Sequence, residues 1–116
     1  MKERRYLVGR YELPISNDGR IRLPRPIADA IGKDLAAWVT SERAIGLCDQ
    51  ELLTKSPVRG PEFVRVDLRC RCVLPARLRR ETDLQPGGAC VLVGLGTYVE
   101  VWGPERYDAY LDRTGS

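Results

Sequence analysis

The sequence predicts a mainly β protein with short helices, built from two tandem strand-turn-strand-helix repeats that share one core. Three observations carry this. The segment 63–84, FVRVDLRCRCVLPARLRRETDL, reads as strand, basic turn, strand and helix, and it echoes LPISNDGRIRLPRPIADAIGK fifty-one residues earlier. Ile15 falls on Val66, Arg20 on Arg71, Leu23 on Leu74, Pro24 on Pro75 and Ile27 on Leu78, as expected of two copies of one unit. Asn17-Asp18-Gly19 between short apolar runs is a hairpin signal, because Asp and Gly tolerate positive φ. Finally, 116 residues fill one modest core, or two interlocked halves sharing one, but hardly two separate cores. The expected organisation is one domain over 1–116, with a first repeat at 6–53, a linker at 54–61 and a second repeat at 62–112.

In order along the chain, residues 6–15 alternate as a strand with Tyr6, Val8, Leu13 and Ile15 facing inward, preceded by a short basic arm of Lys2, Arg4 and Arg5. Ile21-Arg22-Leu23 continues as a short strand after the turn. Pro24 and Pro26 stop pairing, and a helix from Arg25 to Gly32 follows with Ile27, Ala30 and Ile31 inward, since proline is tolerated in a first helical turn. Residues 36–40 and 44–48 form a hairpin with 41–43 at its tip. Asp49 caps one helical turn. The stretch TKSPVRGP, residues 54–61, lacks periodicity and links the copies, running along the outside.

In the second copy Phe63, Val64 and Val66 begin the strand, 68–71 turn, and Cys72-Val73-Leu74 return. Pro75 opens a helix with Leu78 inward and Arg77, Arg79 and Arg80 outward, ended by Gln85-Pro86-Gly87-Gly88. This insertion shifts the repeat offset to fifty-four, so that Trp38 falls on Leu92, Ile45 on Val99 and Leu47 on Val101. The closing helix PERYDAYLD places Tyr107, Tyr110 and Leu111 at helical spacing, as packing residues.

Asp67-Leu68-Arg69-Cys70-Arg71, followed by Val73-Leu74-Pro75-Ala76 and a basic helix, resembles the D-x-x-x-R then (I/L)-P-A signature of the MraZ family. The stretch VLVGLGTYVEVWGPERYDAYL, residues 91–111, is similar to that family's second half. The first copy keeps Gly19-Arg20 but has Ser16 in place of the Asp of D-x-x-x-R; the second keeps Asp67 and Arg71 but has Cys70 where the family usually has Gly. The resemblance implies a double-psi or swapped-hairpin barrel of the AbrB/MazE type. It also implies DNA-binding repressor activity and self-association into a homo-oligomer, ring-shaped in form.

The charge is uneven. The chain carries a net +3, yet residues 65–80 hold Arg65, Arg69, Arg71, Arg77, Arg79 and Arg80 against Asp67 alone, while 81–116 hold six acids and two arginines. Clustered guanidinium groups suit phosphate, which they contact in bidentate fashion. In an interlocked barrel the turns after Ile15 and Val66 share one side, gathering Arg20, Arg22 and Arg25 with Arg69, Arg71 and Arg77. These six, with Asp67 orienting Arg71, are the candidate DNA contacts, to phosphate and to guanine edges. Arg71 also has a structural role, pairing with Asp67. Because no Asp stands at position 16 to orient Arg20, the second turn is expected to dominate.

Catalysis is not expected. The chain has no histidine and no phosphate-binding glycine loop, and a cysteine nucleophile without histidine would be unusual. No cofactor or metal is expected either: Cys70-x-Cys72 with isolated Cys48 and Cys90 does not fit structural zinc spacing. Cys48, Cys72 and Cys90 read as small buried apolar residues, and Cys70, in a turn, as the most exposed of the four. Apolar runs far shorter than about twenty residues, and the charge interrupting MKERRYLVGRYEL, predict a cytoplasmic protein without membrane contact. With the DNA-binding reading that the resemblance implies, nucleoid association and no small-molecule substrate are expected. The expected partners are promoter DNA, in double-stranded form, and further copies of the chain. The alternative is a protein-interaction module, antitoxin-like or adaptor, on the same barrel without DNA recognition.

Overall fold

A computed structural model describes residues 6–115; the basic arm Lys2, Arg4 and Arg5 lies outside them. The elements are β1 (Arg10–Pro14), β2 (Arg20–Arg22), α1 (Arg25–Ile31), β3 (Asp34–Val39), β4 (Ile45–Asp49), a 3-10 turn (Gln50–Thr54), β5 (Glu62–Arg65), β6 (Arg71–Val73), α2 (Ala76–Thr82), β7 (Ala89–Gly94), β8 (Val99–Trp102) and α3 (Pro104–Arg113). The protein is thus mainly β with short helices. Its strands form an antiparallel six-stranded sheet in the order β1-β7-β8-β4-β3-β5 and a two-stranded ribbon of β2 and β6.

The order of the sheet shows that the halves exchange strands. β1 of the first half pairs with β7 of the second, and β5 of the second pairs with β3 of the first. β4 and β8 join the halves at the middle of the sheet. The chain passes from each edge strand through a tight turn into the ribbon, so neither half encloses a core of its own. One apolar cluster instead takes Ile15, Ile21, Leu23, Ile27 and Leu35 from the first half with Val66, Cys72, Leu74, Leu78 and Leu92 from the second. Fully burying each Leu or Ile contributes about 1.5–3 kcal/mol, and here that gain exists only when both halves are present.

Each ribbon strand is stopped in the same way. Pro24 and Pro75, at φ −55° and −56°, cannot donate to a ladder but are already set for the start of α1 and α2. Ile27 and Ile31 of α1 and Leu78 of α2 turn into the shared core. Asp49 caps the 3-10 turn by accepting from the Glu51 N–H at 2.9 Å. On the outer face of the sheet, Tyr107 of α3 packs with Trp102, Val91 and Ala44 in a second cluster, which Tyr110 and Leu111 join.

Several expectations from the sequence are corrected. Tyr6 and Val8 are exposed, and Leu7 is the buried residue, 4% exposed. Gly9, at φ +107°, breaks the strand between the Leu7–Gly96 bridge and β1, so the alternation does not run unbroken through 6–15. β3 and β7 correspond at an offset of fifty-five, with the same succession of one exposed, three buried and two half-buried residues; Trp38 therefore matches Val93 rather than Leu92. The offset returns to fifty-four at β4 and β8 because the second hairpin loop is one residue shorter. Helix α2 ends before Gln85, where Asp83 takes the left-handed conformation at φ +57°. Arg79 is not outward: it is half-buried, and its Nε donates to the Leu74 carbonyl at 2.9 Å. The cysteines follow the expectation: Cys48, Cys72 and Cys90 are buried, and Cys70, half-buried, is the most open of the four.

Candidate nucleic-acid interface

The ribbon positions the candidate arginines through strand alternation. Ile21 and Cys72 lie opposite each other and point into the core, 1% and 2% exposed, so Arg20, Arg22, Arg71 and Val73 occupy the outer face. Arg22 sits directly across from Arg71, and Arg20 across from Val73. Two further bonds extend the ribbon symmetrically: Leu23 N–H donates to the Cys70 carbonyl at 2.7 Å, and Leu74 N–H to the Gly19 carbonyl at 2.9 Å. An approximate two-fold axis therefore passes through the Ile21–Cys72 pair. Each turn abuts the strand end and helix start of the other half.

The second turn is organised by Asp67. Its Oδ1 accepts from the backbone N–H of Arg69 at 2.9 Å and of Arg71 at 2.8 Å, while Oδ2 accepts from Arg71 Nε at 3.1 Å. The backbone N–H of Arg71, more than the other contacts, holds the carboxyl of Asp67 below its usual value. Nε is thus committed to Asp67, and among the described residues neither Nη of the partly exposed Arg71 is hydrogen-bonded. Cys70 completes the turn at φ +63°, the position that Gly19 fills at φ +82° in the first turn.

The first turn reaches the same arrangement with different residues. Ser16 Oγ accepts from the Arg20 N–H at 2.9 Å, as Asp67 does for Arg71, and donates to Asp18 Oδ1. Asp18 Oδ2 lies 3.0 Å from Arg20 Nε. The expectation that Arg20 lacks an orienting carboxylate is thus corrected: Asp18 supplies it from two positions further on. The Ser16 hydroxyl, followed by the charge of Arg20, lowers the pKa of Asp18. The turns remain unequal, because the contact of Arg20 Nε with Asp18 is close but not aligned as a hydrogen bond, whereas that of Arg71 with Asp67 is.

Not all the candidate arginines gather. Arg22 and Arg25 from the first half and Arg69 from the second surround a hollow of about 300 Å³ that Leu23, Leu68 and Cys70 also line. None of these three arginines forms an ion pair among the described residues, so like charges converge without neutralisation. Arg71 lies across from Arg22 on the same face, and Arg20 further along it. Arg77 stands apart: its Nε donates to Glu62 at 2.9 Å, Nη1 to Glu81 at 3.2 Å and Nη2 to the Gly60 carbonyl at 3.0 Å. It ties the linker to α2.

Two features escaped sequence reasoning. Leu68, at the tip of the second turn, is 91% exposed beside the arginines, and it separates their hollow from a second one lined by Lys33, Arg65 and Asp67. The Ser16–Asp18 relay was legible only as an acid displaced by two residues within the turn.

Burial raises the thiols of Cys48 to about 11 and of Cys72 and Cys90 to about 12, so none supplies a thiolate near neutral pH. Among the described residues, no helix is long and apolar enough to cross a membrane.

Comparison with known proteins bears on the same region. A family model described as "MraZ protein, putative antitoxin-like" matches residues 58–116, just over half the chain and all of its second turn. Similar proteins extend the likeness to the first half. One from Syntrophomonas wolfei, named transcriptional regulator MraZ, is 26% identical over 94% of this chain and 89% of its own length. Relatives of the same name from Symbiobacterium thermophilum, 25% identical, and Roseiflexus castenholzii, 26% identical, cover 93% and 90% of this chain and 91% and 85% of their own lengths. The exchanged strands, the paired turns and these matches together place the chain in the MraZ family.

Proposed function

We propose that this protein is a transcription regulator, a repressor that binds double-stranded promoter DNA through the outer face of the β2–β6 ribbon and its two turns. The observation that carries the reading is the convergence of Arg22, Arg25 and Arg69 without ion-pair partners among the described residues, beside an Arg71 whose Nε is fixed by Asp67. Such a surface is electrostatically incomplete, and a phosphate backbone completes it. The free Nη groups of Arg71 suit bidentate contact with a guanine edge, while Arg22, Arg25 and Arg69 suit phosphate. Arg20 adds a further phosphate contact, and Arg77 acts only in the fold. The names of the similar regulators support the same reading.

The ribbon is three residues deep on each strand, so one copy offers a small contact area. Useful affinity then calls for several copies engaging repeated short sites, as a homo-oligomer. Repression follows from promoter occupancy and needs no cofactor.

The test is a fluorescence-anisotropy titration of the protein and of the Arg22→Ala/Arg25→Ala/Arg69→Ala variant against the DNA upstream of its own gene. The variant should lose affinity on specific and scrambled duplexes alike, and its salt slope should fall by about two to three. Unchanged binding by a folded variant would remove the ribbon as the contact surface. No binding by the unmodified protein at low salt would favour the interaction-module reading.

A further inference from the structure

A further hollow, of about 620 Å³, opens on the opposite side of the six-stranded sheet from the shared core, between the β3–β4 hairpin tip, the β7–β8 hairpin and α3. It is lined by aromatic rings. Trp102 and Tyr110 lie 4.9 Å apart between ring centroids, and Trp38 and Tyr98 lie 5.7 Å apart. Trp102 is 1% exposed and forms the floor, whereas Trp38, Tyr98 and Tyr110 keep part of their surface open.

Glu100 projects from β8 into this aromatic setting. Its Oε1 accepts from Trp102 Nε1 at 3.0 Å and its Oε2 from the Tyr98 hydroxyl at 3.5 Å. It is half-buried and forms no ion pair among the described residues. Glu42, on the rim, is occupied by Arg113 at 3.5 Å, and Arg59 reaches the rim from the linker. Glu100 is therefore the carboxylate left to meet the charge of a ligand. Burial favours its neutral form, a cost that a cation in the hollow would offset.

A carboxylate held among π faces selects for a particular ligand chemistry. The rings attract a cation within about 6 Å of their centroids, and they also prefer apolar substituents to a tight hydration shell. A hydrated metal ion meets the second requirement poorly. A volume in the range of small-ligand pockets meets the size requirement.

We propose that this hollow binds a small organic cation, an ammonium bearing apolar substituents, with its charge beside Glu100 and its substituents against Trp38, Tyr98 and Tyr110. The site shares no residue with the ribbon, so it stands whether or not the ribbon binds DNA.

Both tryptophans of the chain line the hollow, so intrinsic fluorescence reports on it directly. The experiment titrates the full chain with choline, with n-butylammonium and with 3,3-dimethyl-1-butanol, the neutral isostere of choline, at constant ionic strength. Both cations should give a saturable change, and the neutral isostere should bind about tenfold more weakly or not at all. Glu100→Gln keeps an acceptor for Trp102, turns its NH2 towards the Tyr98 hydroxyl oxygen, which can accept, and should weaken choline by about tenfold. Tyr98→Leu, which removes one wall, should weaken it as well, read by calorimetry with circular dichroism to confirm folding; it carries the test if Glu100→Gln does not fold. No saturable response to either cation, an equal response to the neutral isostere, or wild-type affinity in a folded Glu100→Gln variant would overturn the proposal.

Discussion

Replacing Cys70 by glycine should stabilise the protein, and replacing Gly19 by alanine should destabilise it. Both residues close a turn with positive φ, +63° and +82°. A residue with a Cβ pays about 1–2 kcal/mol in that conformation, and glycine returns about 0.5–1 kcal/mol of this through its greater freedom in the unfolded chain. Cys70→Gly should therefore gain about 0.5–1 kcal/mol, reduced by whatever packing its half-buried Sγ supplies. For a chain of this length that corresponds to a rise in Tm of about 2–6 °C. Gly19→Ala meets the same backbone penalty and a steric one. A Cβ there would lie 2.9 Å from the guanidinium of Arg79, whose Nε is committed to the Leu74 carbonyl. The expected loss is about 1–3 kcal/mol. Thermal and urea unfolding at one fixed protein concentration measure both changes, since self-association would otherwise shift the midpoint. A destabilised Cys70→Gly variant, or a neutral Gly19→Ala, would refute the view that the turns are built on one left-handed position.

Three further predictions concern the same surface and core. With a thiol reagent in native conditions Cys70 should react first, and Cys48, Cys72 and Cys90 only on unfolding; rapid modification of all four would contradict their burial. Asp18 and Asp67 have lowered folded-state pKa values, so the stability they contribute is present above the ordinary value of 3.8 and is lost as pH falls through the lower folded values. An Asp67→Asn variant should accordingly show a flatter stability profile below about pH 4 than the parent, as read by urea midpoints. Arg77→Ala should cost no more than about 1 kcal/mol, because its ion pairs are partly exposed to solvent, and it should leave DNA affinity unchanged within about twofold. A large loss of DNA affinity there would bring Arg77 back into the contact surface.

The repeat was the most legible feature of the sequence, because the turn chemistry of each copy is local. Gly19-Arg20 and Asp67 to Arg71 announce their turns, and Pro24 and Pro75 announce where each ribbon strand must stop. The ends of the longer elements were less legible. Periodicity placed Tyr6 and Val8 inward because nothing in the local pattern shows that Gly9 breaks the strand and resets its phase. The one-residue slip between Trp38 and Val93 arose from the insertion before β7 and the shorter hairpin after it, which sequence spacing alone averages into one shift. At the candidate interface, charge pattern singled out the arginines but not their partners. Among the described residues Arg22, Arg25 and Arg69 form no ion pair while Arg77 and Arg79 are engaged, and that division depends on which half each turn meets after the strands exchange. Asp18 was missed as the counterpart of Asp67 because it reaches Arg20 from a different position in the turn.

The most direct test is a salt series of titrations of the parent, Arg71→Ala and Arg20→Ala against the specific upstream duplex and a scrambled one. If Arg71 reads a base with its free Nη groups, Arg71→Ala should lose about 1–3 kcal/mol on the specific duplex and narrow the gap between the two DNAs. Arg20→Ala, as a phosphate contact, should weaken both duplexes similarly and lower the salt slope by about one. Equal losses in the two variants would contradict the inequality of the turns, and no loss in either, with folding intact, would contradict DNA binding by the ribbon.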